Sequence, residues 1–158
     1  MGKTAGWIGL GALVAVAGCG GGGGGGPGDP LLATTLTGEY KGQPFTPMFG
    51  FATLYQGSPL IGLGDGPLNC ASPERPDPPP GTNALVTIPA FEAGTYSSRL
   101  VEIVQNITSF EGMGSNGGTV VITTVSTESV TGSVAFSYTD DQSQTYGING
   151  TFEVARCP

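Results

Sequence analysis

The sequence contains no histidine, the residue that most often serves as a catalytic base and a metal ligand. Serine and cysteine triads and common zinc sites are therefore disfavoured. Basic residues are also scarce, with five Lys and Arg against 12 Asp and Glu. An acidic surface repels phosphate backbones and anionic lipid head groups, so we expect no nucleic-acid partner and no membrane docking through a basic patch.

Helical periodicity is missing as well, because no segment keeps apolar residues at a 3.6-residue spacing over three turns. Short apolar runs alternate with Gly and Pro, which predicts an all-β domain. Eight short strands in about 125 residues favour an antiparallel β-sandwich, with a small closed β-barrel as the alternative. The predicted strands are Leu32–Thr37, Met48–Tyr55, Leu60–Leu63, Ala84–Ile88, Arg99–Ile107, Thr119–Ser126, Val130–Thr139 and Tyr146–Ala155.

The last three strands predict an antiparallel meander with one buried face, because their apolar residues alternate with Ser and Thr. The predicted pairs on that face are Tyr138 with Tyr146, Phe136 with Ile148, Val134 with Gly150, Gly132 with Phe152, and Val130 with Val154. A turn at 127–129 would set Ile122 against Val134 and Val120 against Phe136. Every pair is apolar or contains Gly, so the pattern specifies the register.

Long apolar runs are also absent, and the longest, Ala5–Gly18, falls short of the about 20 residues that span a bilayer. With Lys3 before it, this run has the layout of a secretory signal. Seven glycines, Gly20–Gly26, follow Cys19 and argue against an uncleaved anchor helix, the alternative interpretation. The junction Val16-Ala17-Gly18-Cys19 resembles the lipobox of bacterial lipoproteins.

That resemblance implies that residues 1–18 are removed and that Cys19 becomes a lipidated N-terminus. Gly20 stands where an aspartate tends to hold such proteins at the inner membrane, which favours the outer membrane and leaves open which of its faces. Residues 19–30 would form a tether of about 16–19 Å average length. Residues 31–158 would form a single β domain, held to the membrane through its lipid anchor.

With Cys19 assigned to lipid, Cys70 and Cys157 remain as a pair in an exported, oxidising setting. We predict a disulfide between them, which in the chain-entropy model is worth about 4–5 kcal/mol for so long a loop. Two buried thiols or a redox pair are the alternatives, although no Cys-x-x-Cys spacing is present.

One polar loop between strands is a candidate binding site. Asp140 and Asp141 lie between Tyr138 and Tyr146 and could hold Ca²⁺ or a polar ligand between two rings. The simpler interpretation is a hairpin tip with a cross-strand tyrosine pair, so we predict no metal and no cofactor. A second oxygen-rich loop, with Asp65 and Asn69, is interpreted as a turn.

Two further patterns favour structural roles. Gly112–Gly117 matches the Gly-x-Gly-x-x-Gly spacing of dinucleotide-binding loops, but a strand follows it, so we predict a flexible hairpin connection. Phe45, Phe49, Phe51 and Tyr55 have the parity of one strand face, which predicts core packing, with a sugar-stacking platform as the alternative.

Looser motifs extend over most of the chain after Cys19. They include Gly-x-x-x-Gly-Gln-Pro-Phe-Thr-Pro at Gly38–Pro47, Asn69-Cys70, and an ending with Gly132-Ser133, Gly150, Phe152 and Cys157. Together they look like lipoproteins of myxobacterial type for which no activity is known. The resemblance implies a compact disulfide-linked β domain.

We therefore expect a non-enzymatic envelope lipoprotein whose β domain binds another protein or a polysaccharide through its loops or an exposed strand edge. A lipid-tethered hydrolase that uses paired carboxylates is one alternative. A purely structural surface protein is the other.

Overall fold

The computed structural model describes residues 31, 33–66, 68, 70, 81–105 and 112–158, and this part of the chain contains strands and their connections but no helix. No membrane-spanning helix is found among these residues. The all-β prediction is confirmed, whereas the predicted signal, Cys19 and the glycine tether lie outside the described ranges. The strands are β1 (Ala33–Thr34), β2 (Thr37–Tyr40), β3 (Gln43–Phe45), β4 (Phe49–Tyr55), β5 (Ser58–Gly64), β6 (Thr82–Thr87), β7 (Gly94–Gln105), β8 (Gly112–Val125), β9 (Ser129–Thr139) and β10 (Thr145–Arg156).

The strands close into a barrel instead of stacking as two sheets. Strands β4 to β9 pair in sequence order, and β10 joins β9 on one side and β4 on the other, which makes a ring of seven. The preferred β-sandwich is therefore wrong and the alternative, a closed barrel, is correct. Closure depends on a parallel contact of Ala155 with Phe51, two residues too far apart in sequence for strand periodicity to relate them.

The short N-terminal strands complete the free edge of β10. Its first residues pair with β2, its middle with β1, and its last residues with β4. Its other edge pairs with β9 over eleven residues, from Thr145 to Ala155. Both edges of β10 are therefore occupied by other strands over most of its length.

The predicted register between β9 and β10 is confirmed for all five apolar pairs, including Gly132 with Phe152. Between β8 and β9 the prediction is wrong by two positions, since Val120 pairs with Val134 and Ile122 with Gly132. The turn after Val125 moves the register by one residue and a bulge after Ile122 by another. Two one-residue shifts preserve parity, so these side chains still face the core.

Several strand boundaries differ from the prediction. Strand β3 was not predicted, β7 begins five residues before Arg99, and β8 begins at Gly112. The motif Gly112–Gly117 is therefore part of a strand and not a hairpin connection. The turns Lys41-Gly42 and Gln56-Gly57 both have positive φ at their two central residues, the geometry of a two-residue hairpin.

Apolar side chains form a large core inside the barrel and a small cluster outside it. Ala52 of β4 faces the interior core, whereas its neighbour Phe51 packs outside with Leu68 and Cys157. Cys70 and Cys157 form a disulfide in the structure, with Cα atoms 5.1 Å apart, and lie in this outer cluster. The chain between β5 and β6 is thereby fastened to the end of β10.

The predicted aromatic face divides between these two clusters. Phe45 lies in β3 and belongs to the interior core, whereas Phe49 and Phe51 belong to the outer cluster. The prediction that all four aromatic residues share one strand face is wrong, because a chain reversal separates β3 from β4. Burial of Phe45 and Phe51 agrees with packing roles.

We expect Gly132→Ala to lower the free energy of unfolding by about 1–3 kcal/mol, because a Cβ there would overlap the carbonyl oxygen of Val121. It would also lie 3.0 Å from the ring of Phe152. Urea unfolding followed by circular dichroism measures the change. Gly117→Ala is the matched control, since its Cβ would meet only Ser115 Oγ at 3.7 Å. Equal stability of the two variants would contradict this account.

Removing the disulfide with Cys70→Ser and Cys157→Ser together should cost about 2–5 kcal/mol of unfolding free energy. The cause is the loss of a cross-link over a sequence separation of 87 residues. Urea unfolding of the variant should coincide with that of the reduced wild-type protein. Two free thiols in the unreduced protein by mass spectrometry would refute the bridge.

Candidate functional site

The predicted ligand loop is the connection between β9 and β10, and its carboxylate stabilises the loop itself. Asp140 Oδ1 accepts hydrogen bonds from the backbone N–H groups of Gln142 at 2.9 Å and Gln144 at 2.8 Å. The Tyr146 hydroxyl donates to Asp140 Oδ2 at 3.3 Å. Asp140 is thus the side-chain acceptor of its own turn.

These contacts bear on the Ca²⁺ alternative. Asp141 is exposed on the turn, and both oxygens of Asp140 already accept hydrogen bonds. Over the described ranges, no three His, Cys, Asp or Glu side chains are grouped as a metal site would require. The geometry supports the simpler interpretation, a hairpin tip with a tyrosine pair.

The predicted tyrosine pair is part of a cluster of three. Tyr138 and Tyr146 have ring centroids 6.4 Å apart, and Tyr40 of β2 meets Tyr146 edge-on at 5.5 Å. Tyr146 is 4% exposed, and its burial raises the pKa of its phenol above the ordinary value of 10.0, with the Asp140 carboxylate adding to the rise. Tyr40 connects this cluster to a neighbouring cleft.

The cleft lies between the β2–β3 hairpin and the ends of β5, β6 and β7, and it has a volume of about 290 Å³. Its size falls near the lower limit of small-molecule sites, which are about 300–1,000 Å³. The hairpin side consists of Tyr40, Lys41, Gln43, Pro44 and Phe45, and the barrel side of Asp65, Thr82 and Gln105.

Backbone geometry fixes the barrel side of the cleft. Asp65 Oδ1 accepts the Thr82 N–H at 2.6 Å, and the Asp65 N–H donates to the Thr82 carbonyl at 3.1 Å. Gly81 has a φ of 109°, and a Cβ on it would collide with the Asp65 carboxylate. This part of the predicted Asp65 turn is confirmed as a turn, while Asn69 lies outside the described residues.

The cleft combines an apolar base with polar groups at its rim. Tyr40 and Phe45 are buried, whereas Gln43 and Gln105 are exposed. Within the described part of the chain, the carboxamides of these two glutamines make no hydrogen bonds, so they are available to a ligand. Lys41 places its ammonium 5.4 Å from the centre of the Tyr40 ring.

Sequence reasoning identified the tyrosine pair but not the cleft. The cleft residues come from five separate strands and connections, and their convergence depends on barrel closure. One local signal was available: Lys41-Gly42 is an X-Gly dipeptide of the type that makes two-residue turns, and it would have indicated the β2–β3 hairpin.

Tyr146→Phe should reduce the unfolding free energy at pH 7 by about 0.5–1.5 kcal/mol, because the hydroxyl also donates to Gln144 Oε1 at 3.3 Å. The raised pKa means that the folded state holds the phenolic proton more tightly. Its stabilisation is therefore complete below pH 10 and is lost as the pH rises through the folded-state pKa.

Urea unfolding at pH 7 and at about pH 11 measures the effect, and the difference between wild type and variant should shrink at the higher pH. Tyr55→Phe, at the distant β4–β5 turn, controls for loss of a phenol. A difference that stays constant with pH would contradict the assignment.

Comparison with protein families, with curated proteins and with solved structures finds no match to this chain.

Proposed function

We propose that this protein is a non-enzymatic envelope lipoprotein, anchored at the outer membrane through Cys19, whose barrel binds a glycan partner. The observation that carries the proposal is the cleft between the β2–β3 hairpin and the barrel. It is concave, small and lined by carboxamide, hydroxyl, carboxylate and ammonium groups around an apolar base. Such a lining suits a neutral polyhydroxylated ligand.

Barrel closure weighs against a protein partner that adds a strand to the sheet. The seven barrel strands are each paired on both sides, and β3 is the end of the described sheet path. Pro44 in the middle of β3 has no N–H to offer an incoming strand. Loops and the cleft are therefore favoured over a strand edge.

The positions of the carboxylates weigh against the hydrolase alternative. Glycoside hydrolysis with two carboxyl groups requires both to flank the bound sugar. Among the described residues that line the cleft, Asp65 is the one acid, and its Oδ1 is engaged by Thr82. Glu39 on the neighbouring hairpin instead accepts a hydrogen bond from the Thr145 hydroxyl.

A photo-reactive benzophenone side chain at Gln105, at the cleft end of β7, should capture a glycan in producing cells. The same side chain at Thr95, near the other end of β7, is the matched control. The adduct at position 105 should be sensitive to periodate and resistant to protease. Cys19→Ser should move the protein out of the membrane fraction and reduce capture.

Each other result overturns part of the proposal. A protease-sensitive adduct at position 105 would indicate a protein partner. Equal capture at positions 95 and 105, or none at either, would exclude the cleft as the binding site. Unchanged membrane association of Cys19→Ser would exclude the lipid anchor.

A further inference from the structure

From the lining of the cleft we infer that the unit it recognises is an uncharged N-acetylated amino sugar, an inference that rests on the proposed glycan-binding function. The cleft has room for one sugar ring with a substituent, since its volume is about 290 Å³. A longer glycan would extend past the open rim, where Gln43 and Gln105 lie. The cleft would then bind one residue of the chain, not the whole chain.

The apolar part of the cleft suggests the acetamido group. Pro44 and Phe45 lie side by side in β3 and both contribute to the lining, next to Tyr40. A ligand composed only of hydroxyl groups would leave this apolar surface in contact with unsatisfied polar atoms. The methyl of an acetamido group can cover it, and burial of one methyl favours the acetylated sugar by about fourfold.

The polar groups match the remaining atoms of such a sugar. Gln43 on the hairpin side and Gln105 on the barrel side each offer one carbonyl acceptor and two N–H donors to ring hydroxyls. Thr82, only 4% exposed, adds a hydroxyl deeper in the cleft. Donors and acceptors on opposite sides can hold the hydroxyls that project from both edges of a ring.

Charge argues against acidic sugars. Asp65 and Lys41 place one negative and one positive group around the cleft, so it has no excess of positive charge. The whole chain carries a net charge of −7. An anionic sugar would meet the Asp65 carboxylate and an acidic surface without a compensating cationic cluster.

Amide NMR titration of the full-length protein in detergent tests this assignment, with N-acetylglucosamine, glucose and N-acetylneuraminic acid as probes. We expect N-acetylglucosamine to bind with a Kd of about 1 mM, the value that typical ligand efficiency gives for one sugar. Shifts should concentrate at Thr82, Gln105 and the β2–β3 hairpin. Glucose should bind about fourfold more weakly, and the charged sugar more weakly still.

Variants of one strand separate a specific contact from a change in fold. Gln105→Ala should weaken N-acetylglucosamine binding by about fivefold, the effect of one lost hydrogen bond. Thr95→Ala, on the same strand but outside the cleft, should leave it unchanged. Equal binding of glucose and N-acetylglucosamine, or shifts that avoid the cleft, would overturn the assignment. Photo-capture of a glycan together with either result would retain the proposed function and reject this sugar class.

Discussion

The pairing of β10 on both edges is the constraint on which the rest of the structure depends. One edge forms a continuous antiparallel ladder with β9, and the other is divided among β2, β1 and β4. The parallel contact with β4 closes the barrel, and the contact with β2 positions the hairpin that makes one side of the cleft. Loss of β10 would remove the barrel seam, the support of the hairpin and one end of the disulfide.

The part of the fold that follows from local sequence is the meander of β8, β9 and β10. Residues such as Phe136 and Ile148 alternate strictly with polar neighbours, and Gly132 leaves room for the ring of Phe152, so a single register satisfies every pair. The bulge after Ile122 has no comparable signal, because it moves the register without changing which side chains are buried.

Barrel closure and the cleft could not be predicted in the same way. Whether a twisted sheet closes depends on strand stagger and on contacts such as Ala155 with Phe51, which no periodicity encodes. Tyr138 and Tyr146 were found because they flank one turn, whereas Gln43 and Gln105 meet only in three dimensions. The role of Asp140 also required coordinates, since an acceptor for turn N–H groups and a cation ligand have the same sequence pattern.

The hydrogen bonds of Leu31 give the cleft a defined relation to whatever precedes the barrel. The Leu31 N–H donates to the Met48 carbonyl, and the Met48 N–H donates to the carbonyl of Gly64, the residue before Asp65. A chain anchored before Leu31 would thus hold the cleft on the side that faces its anchor. Ligands in the same membrane would then meet the site at an effective concentration on the order of millimolar, so that even a weak contact would be occupied for much of the time.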